Sequence, residues 1–179
     1  MYAAPLTNRR VIQTAYVVND LEAAARGFTA ALGIGPFFIV NRPTISGATY
    51  RGRPAQVEFS TAITQAGDIQ LELVQQHCDS PSCYRDMFGE GQEGFHHIAV
   101  FAGDYDAEIA RYRTLDIDIA ATGRVGPMRF CYMDTSQHIF AMTEVLESVP
   151  FILEYFRNLR ETCETWDGSR PVRDASELL

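Results

Sequence analysis

Gly94-Phe95-His96-His97-Ile98-Ala99-Val100-Phe101 sets two adjacent histidines inside an apolar run too short for a helix. Such a run reads as a β-strand. Because strand side chains alternate between faces, His97 is expected to lie with Phe95, Ala99 and Phe101, and His96 with Ile98 and Val100. One histidine then looks into a cavity and the other into packing. Taken alone, the ordinary fate of such histidines is a hydrogen bond inside the core. A second stretch of the chain points elsewhere.

Ile12-Gln13-Thr14-Ala15-Tyr16-Val17-Val18-Asn19-Asp20 falls into register with the run from His96 to Asp104 at a constant offset. Gln13 falls on His97, Ala15 on Ala99, Asp20 on Asp104 and Ala23 on Ala107. In both copies an acidic residue opens a helix-patterned segment, so a strand, an N-cap and a helix are written twice. Each half also closes with a strand holding one carboxylate among apolar neighbours. These are Glu72 in Ile69-Gln70-Leu71-Glu72-Leu73-Val74, and Glu144 in Phe140-Ala141-Met142-Thr143-Glu144-Val145-Leu146. A glutamate in such a setting is costly to bury unless something positive meets it.

The chain of 179 residues is 46% hydrophobic, long enough to bury a substantial core as one domain or as two fused halves. Its formal net charge of −8 argues against nucleic acid or an anionic membrane as the main partner. No apolar run is long enough to span a bilayer, and Met1 to Arg10 lacks a signal-peptide core. Cys78, Cys83, Cys131 and Cys163 follow neither zinc-finger nor redox spacing and read as reduced thiols of a cytoplasmic protein.

The first half reads as a strand from Arg10 to Val18, a helix from Leu21 to Leu32 capped by Asp20 and ended by Gly33, and a strand beginning at Phe37. Asn41 to Pro54 reads as a loop, either a flap or a surface connection. Gln56 to Gln65 and Ile69 to Val74 are strands about a Gly67-Asp68 turn. A linker follows, with a short helix around Pro81 to Phe88. The second half repeats the order with a strand at Phe95 to Phe101, a helix at Tyr105 to Leu115, and strands near Asp118 to Thr122, Met128 to Asp134 and Ile139 to Leu146. His77 and Cys78 lack further ligands at metal spacing, and His138 sits by a Thr135-Ser136-Gln137 turn facing solvent. Beyond Ser148, Pro150 opens a helix with an apolar stripe of Ile152, Phe156, Leu159 and Cys163. The chain's own sheet is the expected cover for that stripe; a second subunit, giving a homodimer, is the alternative. Val172 to Leu179 reads as a disordered tail.

The doubled strand-helix-three-strand order, the Gly-Phe-His-His-Ile-Ala run and the two strand glutamates resemble the vicinal oxygen chelate superfamily, which includes glyoxalase I and methylmalonyl-CoA epimerase. The resemblance covers about Arg10 to Glu147. It implies an α+β fold of two βαβββ modules, about 10–75 and 94–147, whose curved sheets form a metal-binding cleft. Residues 1–147 then make one domain, with 148–179 a C-terminal helix and tail. It also implies one divalent metal ion held by Gln13, Glu72, His97 and Glu144, a set similar to that of eukaryotic glyoxalase I, and it leaves His96 out.

One imidazole nitrogen, one amide oxygen and two carboxylates suit Zn, Ni, Co, Mn or ferrous Fe better than copper(I), and the two glutamates balance a dication. Such an ion would acidify the C–H beside a chelated carbonyl. The resemblance makes Glu144 the base and Glu72 a second acid/base or a permanent ligand. The implied function is a metal-dependent isomerase, epimerase or lyase acting on a small-molecule carbonyl substrate. A glutathione adduct is a poor fit: Thr14 to Val17 supply no cation, and Glu90-Gly91-Gln92-Glu93 is acidic before His97. Arg51, Arg53, Arg124 and Arg129 could each hold an anionic group, and Phe37, Phe59 and Tyr132 hint at an apolar substrate. The alternatives are a non-catalytic binding protein of the same fold and a ring-cleaving dioxygenase, the latter set back by Gln13 standing where a second histidine would be needed.

Overall fold

The computed structural model describes residues 10–179. The first nine, most of the stretch read above as lacking a signal-peptide core, lie outside the described residues. The first half runs β1 (Val11–Val17), α1 (Leu21–Leu32), β2 (Phe37–Val40), β3 (Ser46–Tyr50), β4 (Arg53–Pro54), β5 (Phe59–Ala66) and β6 (Ile69–Gln76). A short helix, α2 (Cys83–Met87), follows. The second half runs β7 (Gly94–Ala102), α3 (Tyr105–Arg113), β8 (Ile119–Val125), β9 (Met128–Met133), α4 (Ser136–Ile139) and β10 (Met142–Glu147). Helix α5 (Pro150–Glu164), β11 (Val172–Asp174) and a 3-10 turn (Ala175–Leu178) complete the chain.

The repeated helices start for one reason. Asp20 accepts from the Ala23 amide and Asp104 from the Ala107 amide, each satisfying a donor that the first turn leaves unpaired. Helix α1 stops at Gly33, whose left-handed φ of 68° a residue with a Cβ adopts only under strain.

All eleven strands among the described residues form one curved sheet in the order β11-β2-β5-β6-β1-β7-β10-β9-β8-β3-β4. Its centre is a mirrored pair: β2-β5-β6-β1 from the first half meets β7-β10-β9-β8 from the second, joined where β1 and β7 run antiparallel. One face is covered by the two long repeat helices. Helix α1 buries Leu21 and Ala25 against Phe37, Ala62, Leu71 and Leu73, and α3 buries Tyr105, Ile109 and Tyr112 against Val100, Cys131, Met133 and Val145. The other, concave face carries α2 and α5, through Cys83 and Tyr84 of the one and Ile152 of the other.

Several expectations are corrected. The stretch from Asn41 to Pro54 holds two strands, and β3 crosses to pair with β8, the outer strand of the other half. Its Thr49 and Thr122 hydroxyls meet at 2.7 Å, and Arg51 bridges Asp86 and Asp134 at 2.6 and 2.7 Å. Residues 135–137 open the one-turn helix α4, which ends at Phe140 in a left-handed conformation, so β10 begins at Met142. Val172 to Leu179 is ordered: β11 pairs in parallel with β2, and Leu178 is buried with Phe38, Ile63 and Leu159. That brief pairing with a strand distant in sequence carries no periodic signature, which is why composition read it as a tail. The stripe on α5 is covered by the chain's own sheet, with Leu159 fully buried and the Gln65 amide donating to Cys163 Sγ at 3.4 Å.

Leu178→Ala tests whether the tail belongs to the core. It is expected to cost about 2 kcal/mol and to lower Tm by about 4–8 °C in a thermal melt, whereas a detached tail would leave Tm unchanged.

Candidate metal centre

Strand register assembles the site. Ala15 of β1 lies opposite Glu72 of β6 on one side and His97 of β7 on the other, and Ala99 of β7 lies opposite Glu144 of β10. Residues paired across strands point to one face. Glu72, His97 and Glu144 therefore share the concave face, separated by two fully buried alanines too short to fill the space between them. Their ligand atoms lie within 4.8 Å of one another. His97 Nε2 stands 3.3 Å from Glu72 Oε2 and 3.6 Å from Glu144 Oε2. Gln13 pairs with Gln70 and Ala99, so it is buried on the same face, diagonal to His97. Its amide nitrogen donates to Gln70 Oε1 at 3.3 Å, which leaves its own Oε1 as the atom able to meet a cation.

His96 departs from the alternation expected of it. Between the pairs Ala15–His97 and Tyr16–Phe95 the register slips by one, and His96 is the extra residue of a β-bulge. A bulge re-aims its side chain. The imidazole turns toward the same side as His97, among Tyr84, Phe88 and Tyr132. The slip at Ile12, between Val11–Val100 and Gln13–Ala99, is its repeat equivalent. The bulge is thus written twice, and only the second copy carries a histidine.

The two histidines fix each other's protons. His96 Nε2 lies 2.9 Å from the Cys83 carbonyl, which can only accept, so that nitrogen carries the hydrogen. Burial holds His96 neutral, its pKa pulled down to about 3, and leaves its Nδ1 bare. The 2.9 Å contact between the two Nδ1 atoms then requires His97 Nδ1 to donate. In neutral His97 the lone pair is on Nε2, aimed at the two carboxylates, and that nitrogen has no hydrogen-bond partner among the described residues. A buried lone pair facing two carboxylates calls for a cation. A proton is one answer. Burial pulls the His97 pKa down, but Glu144 and then Glu72 outweigh it and push it up to about 9. Burial also raises Glu72, and the charge of Glu144 adds to this, while His97 opposes both. A divalent ion is the other answer, and the donor set fits it.

Three phenols border the cluster. Tyr132 pairs with Glu144 in register and its ring stands edge-on to His97 at 5.0 Å; its hydroxyl meets that of Tyr84 at 3.3 Å. The Tyr155 hydroxyl, from α5, is buried without a partner, its pKa pushed up to about 12 by burial and then by the charge of Glu72. Of these the sequence singled out Tyr132 alone; Tyr84 and Tyr155 are brought in by tertiary contacts of α2 and α5 that no repeat announces. Phe59 does line the concave side, but Phe37 packs under α1, and Phe38 takes the concave position instead. His77 is held by Ser60 Oγ at 2.8 Å and His138 is exposed. Arg129 is tied to Glu147 and Asp106, as Arg51 is to Asp86 and Asp134.

The sequence profile described as the Glyoxalase/Bleomycin resistance protein/Dioxygenase superfamily matches residues 12–132. Among solved structures, methylmalonyl-CoA epimerase from Mycobacterium tuberculosis is similar at 17% identity and TM-score 0.57, covering 86% of this chain and 96% of that one. A variant of the Streptomyces coelicolor methylmalonyl-CoA epimerase in complex with 2-nitronate-propionyl-CoA is similar at 19% and 0.54, covering 80% and 97%. A hypothetical protein from Bacillus halodurans is similar at 12% and 0.58, covering 80% and 96%. These identities show likeness of fold. No curated protein matches the chain.

In chain stripped of metal by a chelator, nitrogen NMR is expected to find His97 protonated at pH 7 and titrating near pH 9, with Glu144→Gln lowering that value. A His97 that is neutral at pH 7 would contradict this electrostatic arrangement.

Proposed function

We propose that this chain, which belongs to the Glyoxalase/Bleomycin resistance protein/Dioxygenase superfamily, is a divalent-metal-dependent isomerase, epimerase or lyase that moves a proton next to a carbonyl group. The observation that carries the reading is the bare Nε2 of His97, buried and aimed at two carboxylates. Polar atoms so placed are costly without a partner, and here the missing partner must be positive. Glu72, His97, Glu144 and Gln13 Oε1 would hold the ion, a mixed nitrogen and oxygen set suited to Zn, Ni, Co, Mn or Fe. When bound, the ion polarises the substrate carbonyl and makes the neighbouring C–H acidic.

The remaining work falls to side chains of the chain. Glu144 is paired with Tyr132, which walls the cavity beside the cluster, so it is the carboxylate on the substrate's side. It takes the proton from carbon. Returned to the neighbouring carbon, that proton isomerises the substrate; to epimerise it, Glu144 keeps the proton it took while Glu72, whose pKa burial raises, delivers its own to the opposite face of the same carbon. Tyr84 and Tyr132 keep their protons, because burial lifts both well above the usual phenol range; since the two hydroxyls share one hydrogen bond, one of them is left as donor to a developing oxyanion. The Cys83 carbonyl, through His96, holds the His97 ring in the tautomer that presents Nε2. A ring-cleaving dioxygenase is less well supported, since the cluster offers one imidazole where that chemistry is built on two. Epimerisation accords with the activity named for the similar Mycobacterium and Streptomyces structures.

Glu144→Gln is expected to retain the metal by elemental analysis while slowing solvent deuterium incorporation into substrate about 100-fold or more; unchanged exchange would remove Glu144 as the base. Calorimetry in buffers of different ionisation enthalpy gives a second check. At pH 7, Zn²⁺ should displace about one proton, the one held by His97. Because His97 is protonated below its raised pKa, affinity should climb about tenfold per pH unit from pH 7 and level off above about pH 9.

A further inference from the structure

Beside the cluster lies a cavity of about 260 Å³. Its walls are Phe59, Tyr84, Phe130 and Tyr132, and its roof includes Ile45 and Val57, from the segment that crosses from the first half to pair with β8. Tyr132 belongs to both places, one face on the cavity and its ring against His97. The lining is almost without charge. Glu58 is the one ionisable acid or base along it apart from the tyrosines and Cys83, and the Thr49 and Thr122 hydroxyls are spent on each other. Next to it, around Tyr50, a groove is lined by Asp79, Asp86 and Glu90 against Arg85 alone. Of the other cations nearby, Arg51 is held between Asp86 and Asp134, and Arg53, the strand partner of Tyr50, is exposed.

We infer that this cavity binds the apolar end of the substrate, and that the substrate is a compact, uncharged aryl or alkyl hydroxycarbonyl compound rather than an acyl-CoA. The inference rests on the proposed ion site for the substrate's two oxygens and names what lies beyond them. Size is the first argument. An apolar cavity of about 150 Å³ holds benzene, so this one takes a group of about ten non-hydrogen atoms, and all but the acyl end of an acyl-CoA would have to lie outside it, along the rim. Charge is the second. The phosphates of a coenzyme A tail need cations, and the rim offers mostly carboxylates, which repel them. Filling a largely apolar, half-open space with an apolar ring gains binding without requiring any new polar partner.

The test uses acetophenone, which has the ring but lacks the second chelating oxygen, and reads its binding by saturation-transfer NMR on chain freed of metal. Binding is expected, and it should weaken at least tenfold in Ala121→Phe, on the wall, and in Val57→Trp, on the roof, each variant first shown to melt cooperatively. No binding to the unaltered chain, or equal binding in both folded variants, overturns the inference. With Zn²⁺ present, 2-hydroxyacetophenone should bind at least tenfold tighter than hydroxyacetone and than propionyl-CoA; propionyl-CoA binding equally well or better overturns the substrate class. Acetophenone binding without Zn²⁺ uptake would keep the cavity and sink the ion site, and Zn²⁺ uptake without acetophenone binding would do the reverse.

Discussion

Two glutamates turned into the concave side of a sheet repel each other and lose their water, and the centre of this molecule is arranged around that cost. Between them stands one imidazole nitrogen that has no hydrogen-bond partner among the described residues. A proton on that nitrogen leaves the three groups at a net charge of −1, and a dication brings them to zero with the imidazole neutral. The same electrostatics that make the metal-free site uncomfortable would suit it to a small divalent cation. The histidine cannot turn away, because its other nitrogen is engaged by His96 and, through it, by the backbone of α2.

That arrangement exists only because the two halves meet edge to edge. The antiparallel pairing of β1 with β7 brings Ala15 opposite His97, and the pairings flanking it bring each glutamate opposite an alanine. Both alanines are fully buried, and their short side chains leave the central space to the longer groups around them. The bulges at Ile12 and His96 are related by the same symmetry. In one copy the displaced residue packs into the core; in the other it orients a ligand candidate. The repeat supplies a symmetric frame, and two differences within it, Ile12 against His96 and Gln13 against His97, make the site asymmetric.

What surrounds the frame decides what can enter. The superfamily profile ends at residue 132, before α5, β11 and the closing 3-10 turn, while the β3–β4 segment lies inside it as a crossing from one half to the far edge of the other. Helix α5 brings an unpartnered phenol to the concave face, and the crossing segment roofs an apolar space beside Tyr132. Function on a shared fold is set by such additions to the site more than by the frame.

The duplicated strand and helix, the aspartate caps, the Gly33 stop and the two strand glutamates were legible because each is a local pattern with a local cause: a periodicity, a cap, a charge out of place among apolar neighbours. From these the paired modules followed, and with the family resemblance the four site residues. What no local pattern could disclose was the bulge that swings His96 onto the face of His97, the flight of β3 to the opposite edge, and the pairing of β11 with β2 in a segment whose composition suggests disorder. Each depends on a strand partner far away in the sequence, and hydrogen-bond register between distant strands is a property of the assembled sheet. The sequence alone singled out a repeated strand and two strand glutamates as candidates; the tertiary structure decided which nitrogen faces the carboxylates and how much room is left beside them.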